Sequence, residues 1–128
     1  MTNDVQTRPG PDIRRWSVGA FGAALVGVGG LGFARPGAGA SSTAPAYDAF
    51  HVAGGVVALA LAKRGRPAPI RTFLVGFGAI DLYQALASHR HWFPETLFRW
   101  TPTDDRLHLA VGTALVVLGA CPRRRKAG

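Results

Sequence analysis

The chain is poor in acidic residues, in cysteine and in any strand-like pattern. It carries 7 Asp and Glu against 15 Lys and Arg, a formal net charge of +8. A single cysteine, Cys121, excludes an internal disulfide framework. No stretch alternates apolar and polar residues as a half-buried strand would. Gly-x-Ser-x-Gly, phosphate-loop, dinucleotide and His-Glu-x-x-His signatures are all missing, so no catalytic residue is assigned and no enzyme is expected. Without Cys-x-x-Cys-His or a dense set of ligands, neither metal nor cofactor is expected.

What the chain does have is long apolar runs. Within 128 residues, enough for one domain, four stand out: Trp16 to Phe33, Tyr47 to Ala62, Ile70 to Ser88 and Leu107 to Cys121. A helix crossing the hydrocarbon core needs ~20 residues, within a range of ~17 to 25. The first and third runs meet this. The second and fourth approach it when begun at Pro45 and Asp104, which gives helices over about 16–33, 45–62, 70–88 and 104–121. All four contain Gly, which costs ~1 kcal/mol against Ala inside a soluble helix but permits close helix contact in lipid. Gly19, Ala23 and Gly27 on the first helix, Gly54 and Gly55 on the second, and Gly112 on the fourth are the expected packing positions.

The basic residues sit between and beyond these runs, which argues for anionic lipid and against nucleic acid as their partner. Of the 15 Lys and Arg, eleven flank the starts of the first and third runs or the ends of the second and fourth: Arg8, Arg14, Arg15, Lys63, Arg64, Arg66, Arg71, Arg123, Arg124, Arg125 and Lys126. Four remain for the other two loops: Arg35, Arg90, Arg99 and Arg106. Cytoplasmic flanks carry the excess of Lys and Arg. The expectation is a multi-pass protein of the bacterial cytoplasmic (inner) membrane with both termini inside. A basic tail over 1–15 precedes a transmembrane domain over 16–121, and a second basic tail follows over 122–128.

Arg14-Arg15, the first run and Ala38-Gly39-Ala40 mimic a signal peptide, but the run exceeds the usual ~7 to 15 residues and the Ala-x-Ala lies past its end. The segment is therefore read as a retained helix. Residues 34–46, rich in Gly, Ala, Ser and Pro, read as a flexible external connection. Trp92, Phe93, Phe98 and Trp100 surround Pro94-Glu95, a helix-start signal, and suggest a short interfacial helix with aromatic anchors. His89-Arg90-His91 reads as an exposed polar loop, and Cys121 as inert at the inner boundary.

An internal repeat adds detail. Asp48-x-x-His51-x-x-x-Gly55 and Asp105-x-x-His108-x-x-x-Gly112 both lead into an apolar run that ends in a basic cluster. The expected fold is thus all-α, a four-transmembrane-helix bundle built from two parallel helical-hairpin repeats. Asp48 and Asp105 are expected as helix N-caps. The segments around Phe50-His51 and Leu107-His108-Leu109, with the Gly residues after them, resemble a family of small four-helix bacterial integral membrane proteins classed as a domain of unknown function. That resemblance implies a four-helix membrane protein and carries over no activity and no catalytic residue.

Asp81 lies midway along the third run, where a carboxylate costs ~2.5 to 3.5 kcal/mol on an insertion scale. It calls for a partner: His51 lies within about a turn of it in depth, and His108, at a shallower level, is the second candidate. Three readings of a His51, Asp81, His108 cluster stay open: hydrogen bonds that hold helices together, a proton or solute path, or a paired-histidine metal or haem site. The expected role is structural or accessory, with the bilayer as partner and with self-association or a partner membrane protein through the Gly-rich faces. The alternative is a small-solute or proton channel or carrier that uses the cluster.

Overall fold

A computed structural model describes residues 12–122. Arg8 and the basic cluster Arg123 to Lys126 lie outside the described residues. The described chain is all-helical, with α1 Ile13–Ala34, α2 Pro45–Arg64, α3 Pro67–Arg90, α4 Glu95–Phe98 and α5 Pro102–Ala120. No strand occurs among the described residues.

Local chemistry sets the boundaries. Asp12 caps α1 by accepting from the amides of Arg14 and Arg15. Three helices begin on a proline, whose fixed φ and missing N–H suit the first helical position. These prolines overturn the expected N-caps. The caps are Ala44 and Thr101, and Asp48 and Asp105 lie inside the first turn of their helices. Pro45 and Pro102 each start the helix three residues before the aspartate. Thr101 forms a capping box with Asp104, each side chain accepting from the other's backbone N–H. Between α2 and α3, Gly65 takes φ 68°, a left-handed conformation that closes α2 on the Leu61 carbonyl before Pro67 begins α3.

α1 lies along α2, and α3 along α5, as two antiparallel hairpins. Glycine makes both contacts close. A Cβ on Gly22 would sit 2.9 Å from the Gly55 carbonyl oxygen, and one on Gly78 would sit 2.8 Å from that of Gly112. Gly19 faces Ala62 at ordinary contact distance, and Gly54 faces the Phe77 ring. The expected Gly19, Ala23, Gly27 stripe is corrected at two positions: Gly27 has nothing within 4 Å, and Ala23 is exposed. The buried face of α1 is Val18, Gly22, Leu25, Gly29 and Gly32. A strict spacing of four drifts round a helix of 3.6 residues per turn, whereas this mixed spacing of three and four stays on one side.

One end of the bundle carries the loops 35–44 and 91–101. The other, the terminal end, carries the start of α1, the turn at Gly65 and the end of α5. Arginines latch the terminal end. Arg15 donates to the Ala62 carbonyl at 2.6 Å, and Arg71 donates to the Gly119 carbonyl at 2.9 Å, the equivalent bond in the second hairpin. Arg14 crosses between hairpins to the carbonyls of Leu118 and Cys121. Each guanidinium thus satisfies last-turn carbonyls and meets the negative end of the helix dipole. Arg71→Ala is expected to fray α5 at that end by about 1 kcal/mol. Amide hydrogen exchange should speed up at Leu118 to Ala120 and stay unchanged in the first turn of α5.

The apolar core, Val18, Leu25, Ala58, Ile70, Leu74, Phe77 and Leu115, fills the terminal half. Phe77 gathers Phe21 edge-on and stacks with Phe50 and Phe73, at centroid distances of 5.1 to 5.5 Å. Outside, the long helices present Trp16, Leu31, Val56, Val57, Ile80, Leu86, Leu109 and Val117. Two helices among the described residues, α1 and α2, are long and apolar enough to cross a membrane.

Candidate functional site

Polar side chains are turned inward at the loop end. Asp48, His51, Asp81, Gln84, Asp104 and His108 are all buried. A cavity of about 210 Å³ lies among them, walled by Tyr47, His51, Asp81, Asp104 and His108 on its polar side and by Phe21, Leu25, Val28, Leu107 and Val111 on its apolar side. Two larger recesses, of about 330 and 510 Å³, bring no buried carboxylate or imidazole to their walls.

His51 and His108 arrive here because each lies two turns or less into a helix that begins at the loop end. Asp81 reaches the same depth from α3, whose chain runs the other way. The structure brings all three to one chamber but shows no hydrogen bond between Asp81 and either imidazole. Asp81 is 4% exposed, and its hydrogen bond is a long one of 3.4 Å from the Gln84 amide. Gln84 in turn accepts from the Trp100 indole at 3.0 Å. His51 makes no hydrogen bond among the described residues; its ring lies 4.1 Å from that of Tyr47.

The link between hairpins is Tyr47, which the repeat did not point to. Its hydroxyl lies 2.7 Å from His108 Nε2 and 3.4 Å from Asp104 Oδ1. A hydroxyl has one proton to give. Both contacts are satisfied when His108 Nε2–H donates to Tyr47 and Tyr47 donates to Asp104. His108 Nδ1 is then a bare acceptor, buried without a donor among the described residues. The pattern recurs in the first repeat, where His51 Nδ1 and both Asp48 oxygens are buried without a partner among the described residues. Asp48 packs its carboxylate directly against Gly32 of α1.

Asp104 is the hub. Its carboxylate accepts from the Ser41 hydroxyl, the Ser42 amide at 2.8 Å and the Thr101 amide at 2.9 Å. The Thr101 hydroxyl shares its proton between Asp104 and the Ala40 carbonyl. Ser42 donates its own hydroxyl to the Phe98 carbonyl. The connection expected to be flexible is therefore docked over the chamber, because its serines supply what the Asp104 carboxylate accepts. The aromatic segment also divides. Trp92 and Phe93 are exposed, while Phe98 turns in against Tyr47 and Phe50, and Trp100 turns in against Gln84. His91 caps α3 and pairs with Glu95 at 2.7 Å.

Among the described residues no three His, Cys, Asp or Glu side chains converge as a metal ion requires. The chamber is smaller than the ~300 Å³ lower bound of drug-sized pockets and has no room for a porphyrin. Comparison with protein-family models, with curated proteins and with solved structures gives no match.

Proposed function

We propose that this chain is an integral protein of the bacterial cytoplasmic membrane that crosses it four times, through α1, α2, α3 and α5, with both ends inside. Its role is accessory and non-conducting, built around the chamber in its outer half. One observation carries the reading: polar side chains are taken inside while the exterior is apolar. Asp48, His51, Asp81, Gln84, Asp104 and His108 are buried at the loop end beside the apolar core, and Leu, Val, Ile and Trp side chains clothe the exterior. In water such a surface invites aggregation. In lipid it is the expected arrangement, since intramembrane polar groups face the bundle interior.

α3 and α5 carry more charged and polar residues: Asp81, Gln84, Asp104 and His108 are turned inward, while Arg71, Asp105 and Arg106 lie near the starts of these helices. Their lengths, 24 and 19 residues, give about 36 and 28 Å at 1.5 Å per residue, close to the ~30 Å of a hydrocarbon core. The distribution of the 15 Lys and Arg along the sequence supports a cytoplasmic terminal end. The apolar core fills the terminal half beyond the chamber, and this supports the non-conducting reading over the channel or carrier.

Reporter fusions test the crossings. An enzyme active only outside the cytoplasm should be silent after Gly128 and active when inserted at Gly39. A signal after Gly128 would refute the topology. Reconstituted vesicles should show no proton flux above protein-free controls under an imposed gradient, and flux abolished by Asp81→Asn would reinstate the conducting alternative.

A further inference from the structure

The chamber carries an imbalance. Two carboxylates, Asp81 and Asp104, stand in its wall, and no Lys or Arg lines it. The His91–Glu95 pair is elsewhere. Asp104 is held by several donors, but Asp81 has a single long bond from Gln84, and His51, in the same wall, has none among the described residues. Both side chains are more than nine-tenths buried and face the cavity. A buried carboxylate without a counter-charge is costly, and a cation that enters beside it relieves that cost. The remaining wall suits the rest of such a ligand: Phe21 and Tyr47 bring aromatic rings to the wall, a residue type that attracts cations, and Leu25, Val28 and Val111 offer apolar surface.

The chamber also has a side entrance. Val28 on α1 is 43% exposed and Leu107 on α5 is 51% exposed, yet both line the cavity. They form a rim between the two hairpins, beneath Ser41 of the docked loop. With four crossings, this rim faces the outer leaflet.

We propose that the chamber binds the head of a small organic ammonium ion, which enters between α1 and α5 and lies against Asp81, His51 and the Tyr47 ring. The proposal rests on the four-crossing reading. The volume limits the ligand to a compact head and excludes bulky cations such as tetraphenylphosphonium. The shared chemistry is a substituted ammonium, supplied either as a free solute or as the headgroup of an amino lipid.

Calorimetric titration of the full chain in a nonionic detergent, with benzyltrimethylammonium as probe, tests this. Saturable binding of one probe per chain is expected. Asp81→Asn should weaken it at least tenfold. Val28→Trp should do the same from the rim, where an exposed site tolerates a larger side chain, so the test survives should Asp81→Asn fail to fold. Choline should displace the probe, and its uncharged isostere 3,3-dimethyl-1-butanol should not. Added displacement by dihexanoyl phosphatidylethanolamine assigns a lipid head as occupant; displacement by choline alone assigns a free solute. No binding, binding unchanged in both variants, or equal displacement by the uncharged isostere overturns the proposal. Failure to bind in a chain whose reporters show four crossings removes this proposal alone, whereas reporters that show no crossing remove both.

Discussion

Gly55→Leu is expected to force α2 away from α1 and to unfold the first hairpin at detergent concentrations that leave the parent protein intact. A Cβ at this position would lie 2.7 Å from the Gly22 carbonyl oxygen and 2.8 Å from the Val26 amide nitrogen. Both are backbone atoms and cannot rotate aside, so the helices themselves must separate. Overpacking of a tight core costs about 1 to 3 kcal/mol where side chains can adjust, and here the upper part of that range is the floor. Gly112→Leu should behave alike, because its Cβ would meet the Gly78 carbonyl oxygen at 2.9 Å and the Asp81 Cβ at the same distance. Gly27→Leu is the contrast: with nothing within 4 Å, it should be neutral or should gain up to about 1 kcal/mol of helix propensity. The midpoint of unfolding in mixtures of dodecyl sulfate and dodecyl maltoside reads all three. Equal midpoints for Gly55→Leu and Gly27→Leu would mean that α1 and α2 do not meet where Gly22 and Gly55 approach.

That contrast shows what a sequence can and cannot reveal. The existence of helices and the need for glycine at their contacts were legible, since apolar runs dotted with Gly have few other uses. The choice of face on α1 was not. Gly19, Ala23 and Gly27 form one stripe, and Gly22, Gly29 and Gly32 form another on a different side. Only the position of α2, with Ala58 and Asp48 projecting toward α1, selects the second. The repeat was more informative. Its period puts Pro45 opposite Pro102, His51 opposite His108 and Gly55 opposite Gly112, and each pair takes the same place in its hairpin.

The chamber was visible in outline, because depth along a helix can be counted: it brings His51 within about a turn of Asp81 and leaves His108 somewhat shallower. Its wiring was hidden. Tyr47 joins the hairpins through contacts made across the bundle, and nothing local marks it. Asp104 did leave a trace: Thr101-Pro102-Thr103-Asp104 has the spacing of a capping box, with Asp in place of Glu. The repeat spacing pairs Asp105 with Asp48 and so points one residue past Asp104. Ser41 and Ser42 carry no signal at all, since small polar residues in a loop look alike whether docked or free.

Asp104→Ala is expected to cost about 3 kcal/mol or more, far beyond what Asp105→Ala costs. The loss has two parts. The capping box disappears, which alone removes about 0.5 to 2 kcal/mol. The Ser41 hydroxyl and the amides of Ser42 and Thr101 then lose a charged acceptor, and bonds of that kind contribute about 1.5 to 3 kcal/mol each before the loop relaxes. Ser42 is buried, so its amide has no ready access to water unless the loop lifts off. The change should therefore undock residues 40–43 as well as destabilise the bundle, and amide exchange at Ser42 should rise together with the fall in unfolding midpoint. Asp104→Asn keeps one acceptor oxygen but presents an NH₂ to donors, and should fall between the two. Asp105→Ala removes a carboxylate whose buried Oδ1 already lacks a partner among the described residues, so its effect should stay within about 1 kcal/mol. Equal losses from the two alanine variants would take Asp104 out of the centre of this network and leave the docked loop without its anchor.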